Sequence, residues 1–180
     1  MDSEGEAARA VGPLQRIPPS GGFFEKKGTD MFKNILVPTD GSPLSQKAVK
    51  AAVNLAKTNR GKLTVVHVMP DYAAYVRERY NVPGILAAPL KQKFEKDAAT
   101  VAKQHLDRAC KLAKAAGVRC SGVAVASDTV HAAILKQASK AKCDTIMMAS
   151  HGRRGLQGVL LGSETQKVLT HSKLPVVVCR

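Results

Sequence analysis

Tryptophan is missing from this chain, and aromatic residues make up only 4% of its 180 positions. A chain this poor in rings has no stacking platforms of the kind that hold single-stranded nucleic acid, and no interleaving of basic and aromatic residues is visible, which argues against nucleic acid as a partner. Long apolar runs are missing too. No stretch approaches the roughly 20 residues of a membrane span, which points to a soluble chain with no membrane partner. The N-terminus lacks a basic start followed by an apolar stretch, so no secretory signal is read. The four cysteines, Cys110, Cys120, Cys143 and Cys179, form no C-x-x-C pair, and no Cys or His pair has zinc-ligand spacing. Cys143 and Cys179 fall in apolar runs and read as buried reduced thiols, the pattern of a cytoplasmic chain rather than a disulfide scaffold. Acidic residues are scarce: 14 Asp and Glu face 28 Lys and Arg, for a net charge of +14. The first thirty residues carry a net −1, so the basicity belongs to the remainder. It suits a phosphorylated ligand, and equally a solvated lysine surface.

The catalytic vocabulary is short. There is no Walker lysine, no carboxylate cluster that would hold a metal alone and no nucleophile-elbow sequence, so Ser163, His151 and Asp40 do not read as a triad. A dedicated enzyme is not expected; slow nucleotide hydrolysis is the most the chain suggests.

What is present is the material of one domain, 44% hydrophobic. Residues 1–30 are rich in Gly, Pro, Ser and charge without any period, and read as a disordered tail. Met31 stands directly before the first strand and is a second candidate start. From there short apolar runs alternate with helical patterns. Asn34–Val37, Leu63–Val68, Val118–Val125, Asp144–Met148 and Pro175–Cys179 read as strands. Helices are expected from Ser42 to about Asn59, over Lys91–Ala116, around Val130–Ala138 and over Glu164–His171. In the long helix Phe94, Ala98, Val101, Ala109, Leu112 and Ala116 form the expected buried stripe, and in the last one Val168 and Leu169 point inward. Met69–Pro89 is a long connection left without an assignment. This order implies an α/β fold: a five-stranded parallel sheet with helices on both faces.

In such a sheet ligands sit beyond the carboxyl ends of the strands. Two of those ends carry distinctive chemistry. Pro38-Thr39-Asp40-Gly41-Ser42 follows the first strand, and a glycine-rich loop from Ala149 to Ser163 follows the fourth. Glycines at 152, 155, 158 and 162, followed by a helix start with Ser163 as its cap, make an anion cradle of backbone N–H groups. Arg153 and Arg154 add charge that can pair with phosphate oxygens. If the first and fourth strands are neighbours, Asp40 faces the loop.

Val37-Pro38-Thr39-Asp40-Gly41-Ser42, His67-Val68, Ser150-His151-Gly152, Leu161-Gly162-Ser163 and the final Pro175 to Val178 together resemble the universal stress protein family, over residues 31–180. The resemblance implies a Rossmann-like, adenine nucleotide alpha-hydrolase-like sheet in the order 3-2-1-4-5. It also implies a homodimer formed through the last strand, at Val176, Val177 and Val178. ATP-binding members carry Gly-x2-Gly-x9-Gly-Ser/Thr. Here Gly152, Gly162 and Ser163 match, and Ala149 stands where the first glycine belongs. The resemblance therefore implies an ATP-binding stress-response module, with Mg²⁺ as a bridging ion. Pro38, Thr39, Asp40, Val68 and Met148 would lie on the nucleoside side. Ala149, His151, Gly152, Arg153, Gly155, Gly162, Ser163 and Glu164 would lie around the phosphates. The alternative is a domain of the same family that leaves the loop empty and works through protein contacts.

Overall fold

The computed structural model describes residues 31–80, 88–152 and 161–180. The expected tail, and Arg153, Arg154, Gly155 and Gly158 of the glycine loop, lie outside the described residues. Ten elements follow one another: β1 (Asn34–Pro38), α1 (Pro43–Thr58), β2 (Lys62–Met69), α2 (Tyr72–Tyr80), α3 (Ala88–Ala115), β3 (Arg119–Ala126), α4 (Val130–Lys140), β4 (Thr145–Ala149), α5 (Ser163–His171) and β5 (Val176–Cys179). All strand pairs are parallel, and the sheet order is β3-β2-β1-β4-β5.

β1 is the centre. Ile35, Leu36 and Val37 are fully buried, and alternate side chains feed opposite layers. Ile35 and Val37 join a core with Val49, Ala52, Val53 and Ala56 of α1 and Leu106, Ala109 and Ala113 of α3. Leu36 joins a second core with Val66, Ile146 and Met148, closed by Ile134 and Ala138 of α4 and Val168 of α5. α1 starts as expected: Ser42 caps it, accepting from Ser45 N at 3.2 Å, and Pro43 takes the first turn.

Three expectations are corrected. The buried stripe of α3 is Ala102, Leu106, Ala109 and Ala113, whereas Val101 is 39% and Leu112 36% exposed. Ala109 is common to the expected and observed stripes and Ala116 packs against the same core, while Val101 and Leu112 give way to their neighbours Ala102 and Ala113. Alanines let the helix approach the sheet, and the bulkier Val101 and Leu112 are left on its flank. In α5, Val168 is buried but Leu169 is not. The cap of α5 is Gly162, with Ser163 as its first helical residue. The connection left unassigned contains α2, which docks by burying Tyr72 and Val76 and by ring contacts of Tyr72 and Tyr75 with Phe94 at 5.3 and 4.8 Å.

The cysteines also depart from expectation. Cys110 and Cys120 are joined in a disulfide between α3 and β3, because the tight turn at Gly117 (φ +76°) folds the strand straight back along the helix. Cys143 is buried and Cys179 half-buried, both as free thiols. Burial pushes the Cys143 thiol up, and burial raises Cys179 as well. The thiolate is the reactive form. Mass spectrometry after iodoacetamide treatment without reductant should therefore show at least tenfold slower labelling of Cys143 in the native protein than in denaturant. Denatured, unreduced protein should take label on Cys143 and Cys179 alone; labelling of Cys110 or Cys120 there would contradict the pairing.

Candidate functional site

The site is built where β1 and β4 end side by side, paired at Ile35↔Thr145 and Leu36↔Ile146. Past β1 the chain is held by a short-range network. Thr39 N donates to Val66 O at 2.9 Å. Its hydroxyl lies 3.2 Å from Ser45 Oγ and accepts from Gly41 N. Its carbonyl accepts from His67 Nδ1 at 2.7 Å, which places the proton of a neutral His67 on that nitrogen. His67 is thus a brace for the turn. Gly41 sits at φ +78°, and a Cβ there would collide with the His105 ring from α3, which also lies 5.2 Å from the His67 ring. Glycine at 41 is required twice, by angle and by contact.

Asp40 is aimed by this turn. Its Oδ1 accepts from Ser42 N at 3.0 Å, the local bond of an Asx turn. Its Oδ2 points across the crevice: a Cβ on Gly152 would stand 2.8 Å from it. The carboxylate and the start of the glycine loop are therefore neighbours, as their strand ends suggested. Pro38, Val68 and Met148 occupy one face of three adjacent strands. Val68 and Met148 pack with Leu36, Val66 and Ile146 in the α4–α5 core, and alternation puts Pro38 on the same side as Leu36. They form an apolar floor beside Asp40.

Ala149 ends β4. It is buried, paired with Cys179, and its carbonyl accepts from Thr165 Oγ1 at 3.0 Å. It is not among the residues with positive φ, so the backbone here does not call for glycine. Alternation from Met148 turns its methyl to the opposite face from the apolar floor. Ser150 N then donates to Cys179 O, and Gly162 N to Ser150 O, both at 2.7 Å, so the loop closes where it opened. His151 Nδ1 lies 3.1 Å from Ser150 Oγ, and its Nε2 is buried without a hydrogen-bond partner among the described residues.

α5 begins at that closure. Its cap, Gly162, makes no side-chain bond to the first N–H groups, which lie at the positive end of the helix dipole. Ser163 is exposed at the first position. Glu164, expected near the phosphates, is engaged elsewhere. Its Oε2 accepts from the backbone N of His131 at 2.8 Å, and its Oε1 from Lys167 Nζ at 2.9 Å. It caps α4, whose own Thr129 makes no side-chain cap bond. The His131 ring stacks on His171 of α5 at 5.7 Å. Among the described residues no group of three or more His, Cys, Asp or Glu side chains is arranged for a metal. No described helix is long and apolar enough to cross a membrane.

Sequence reading missed two participants. His105 is signalled only by its place beside the inward Leu106. The link between Glu164 and His131 joins residues 33 positions apart and leaves no local pattern.

The comparisons with known proteins agree with one another. A family model described as "Universal stress protein family" matches residues 31–180. A universal stress protein of Bacillus subtilis is 30% identical over 156 residues, covering 83% of this chain and all of the relative. The solved structure of protein MJ0577, a universal stress protein of Methanocaldococcus jannaschii, superposes with a TM-score of 0.66 at 28% identity, covering 83% of this chain and 96% of that one. A universal stress protein solved in complex with cAMP has the same fold, with a TM-score of 0.59 at 24% identity and coverage of 82% and 97%.

Burial pushes the Glu164 carboxyl up, but hydrogen bonds from Lys167 and from the His131 backbone outweigh it and leave the group below its ordinary value. A lowered folded pKa means that its contribution to stability is complete above about pH 4.3 and is lost as pH falls through the folded value. Glu164→Gln should flatten the acid side of a plot of urea midpoint against pH. An acid limb unchanged in the variant would show that this carboxylate does not tie α4 to α5.

Proposed function

The chain belongs to the universal stress protein family, and on that premise we propose that it binds ATP as a signalling module rather than as a fast enzyme. The observation that carries this reading is the glycine-capped N-terminus of α5, opened by Gly162 next to Ser150 and His151, on the loop whose Gly152 meets Asp40. Phosphates take the first N–H groups and the hydroxyl of Ser163, with Arg153 and Gly155 contributing from the loop. The apolar floor of Pro38, Val68 and Met148 takes the adenine. Asp40 accepts from the ribose hydroxyls, and Thr39 holds the turn that aims it. His151 borders the phosphate side with a ring nitrogen still to be satisfied. Glu164 serves indirectly: with its charge spent on α4 and Lys167, it does not repel phosphate from the helix it begins. The relative in complex with cAMP supports an adenine nucleotide as the ligand class. Mg²⁺ would be carried by the phosphates. In this reading hydrolysis is slow at most.

The chain acts as a homodimer; the expectation of the cytoplasm rested on reduced cysteines, and the Cys110–Cys120 disulfide removes that support. Support comes from β5, an edge strand of purely apolar sequence whose residues Val176 to Cys179 are all only half-buried. Exposed apolar edges invite pairing with a second copy. Val178→Lys should convert dimer to monomer in sedimentation velocity; a wild type that sediments as a monomer would remove the proposal.

Calorimetric titration with ATP and Mg²⁺ tests the site. Gly152→Ala pushes a methyl against Asp40 and should weaken binding at least tenfold, roughly 1.4 kcal/mol or more. Ala149→Gly should leave affinity within about twofold, because its methyl faces away from the floor, and should cost about 0.5–1 kcal/mol of stability. Equal affinity in wild type and Gly152→Ala would place the nucleotide elsewhere. No binding by wild type would favour the protein-contact reading.

A further inference from the structure

The charges at the pole of the sheet opposite the candidate site are, among the described residues, cationic except for Asp144. Every strand has a basic residue at or just before its amino end. In spatial order across the sheet they are Arg119 (β3), Lys62 (β2), Lys33 (β1), Lys142 (β4) and Lys173 (β5). Their adjacency is explicit. Lys62 is the register partner of both Arg119 and Asn34. Lys62 N donates to Lys33 O at 2.8 Å, and Asn34 Nδ2 to Lys142 O at 2.9 Å. Ile146 N donates to Pro175 O at 3.0 Å, tying the start of β5 to β4. Neighbouring strands lie about 4.8 Å apart, so the row spans roughly 19 Å. Arg119, Lys62, Lys142 and Lys173 are exposed, and Lys33 is half-exposed.

A second rank reinforces the row: Lys57, Lys114 and Lys140 occupy the last turns of α1, α3 and α4. Helix dipoles account for that rank, since cations complement helix C-termini. They do not account for Lys33, Lys62 and Arg119, which stand at strand starts. Nor do local carboxylates. Among the described residues in these turns the one acid is Asp144, and its Oδ2 already accepts from the backbone N–H groups of Lys33 and Asn34 at 2.9 and 2.8 Å. Lys33 alone has an internal partner, its Nζ donating to Asn59 O at 2.9 Å; among the described residues no ion pair holds Lys62, Arg119, Lys142 or Lys173.

We propose that this cationic row docks the phosphodiester backbone of double-stranded nucleic acid, without reading base sequence. A line of point charges matches a line of phosphates, and Lys and Arg contacts to phosphate supply affinity and position. The shortage of aromatic residues, which excludes stacking on single strands, is irrelevant to a contact made only with the backbone. A bilayer fits less well. Among the described residues no large exposed apolar side chain stands at a strand start; Leu112 and Leu169 lie in the last turns of α3 and α5, one from each, too few to seat the pole in a bilayer. A protein partner fits less well too, because lysine is depleted from interface cores.

The test is fluorescence anisotropy with a labelled mixed-sequence DNA duplex, using the full chain at several salt concentrations. Four phosphate contacts, from the members of the row other than Lys33, give a slope of log affinity against log salt of about −3 to −4, a loss of roughly 150-fold between about 50 and 200 mM. Lys62→Gln should reduce the slope by about 1. The triple variant Lys62→Glu, Arg119→Glu, Lys142→Glu should abolish binding. A control of equal charge change on the outer faces of α1 and α3, Lys47→Glu, Lys50→Glu, Lys93→Glu, should retain affinity within about threefold of wild type, as expected for charges outside the contact. All six positions are exposed, and unchanged circular dichroism melts confirm that both variants fold. The proposal is overturned if the control loses as much affinity as the pole variant. It is also overturned if wild type shows no salt-dependent binding. A third overturning result is tighter, equally pole-dependent binding to phosphatidylserine–phosphatidylcholine vesicles than to DNA.

Discussion

The parallel pairing of β1 with β4 is the contact on which the rest depends. It is short, with Ile35 against Thr145 and Leu36 against Ile146, yet it joins the two halves of the chain at the centre of the sheet. Because the strands are parallel, their carboxyl ends lie together. The turn after one and the loop after the other must then share a crevice. Asp40 and Gly152 are 112 positions apart in sequence and within van der Waals reach in space for this reason alone. The pairing is secured by side chains that have no other outlet: Ile35, Leu36, Thr145 and Ile146 are all fully buried. Its lower end is pinned by Asp144, which accepts from the backbone of Lys33 and Asn34.

The crevice is stiff where it must be stiff. Thr39 is tied to β2, to α1 and to His67, and the His105 ring closes over Gly41. A carboxylate held this way pays little ordering cost when a ligand arrives. The opposite wall is polar in a different sense. It offers backbone N–H groups at a helix end whose cap is a glycine, and its one acidic neighbour, Glu164, is drawn off to α4. In the proposed reading the two walls serve the two ends of a nucleotide: an acceptor for hydroxyls on one side, donors for phosphate on the other. Along the strand axis the same fold separates its charges. Helix N-termini gather at the carboxyl pole, while lysines gather with the helix C-termini at the other.

Much of this was legible in the sequence, for identifiable reasons. Strands covered on both faces leave continuous apolar runs, and Asn34 to Val37 shows one. The Pro-Thr-Asp-Gly-Ser turn and the glycine spacing are local signals, so Asp40, Gly152 and Gly162 could be named in advance. What failed depended on contacts between distant elements. The α3 stripe was right at Ala109 and missed Ala102, Leu106 and Ala113, because a helix so rich in alanine shows more than one apolar line and only contact with the sheet selects among them. Helix α2 has a weak periodic signal and is fixed by its rings against Phe94. Cys110 and Cys120 carry no spacing motif; their meeting follows from the turn at Gly117. Ala149 looked like a defect in the glycine pattern, and its ordinary backbone shows that the strand end accommodates a side chain.

The most direct test is to follow backbone amide resonances of the isotopically labelled protein while ATP and Mg²⁺ are added. If the open end of α5 holds the phosphates opposite Asp40, the amides of Ser163, Glu164 and Gly152 shift most, and those of the strand starts at Lys62 and Arg119 stay still. Shifts that leave Gly152 and Ser163 unmoved while the ligand demonstrably binds would contradict the account.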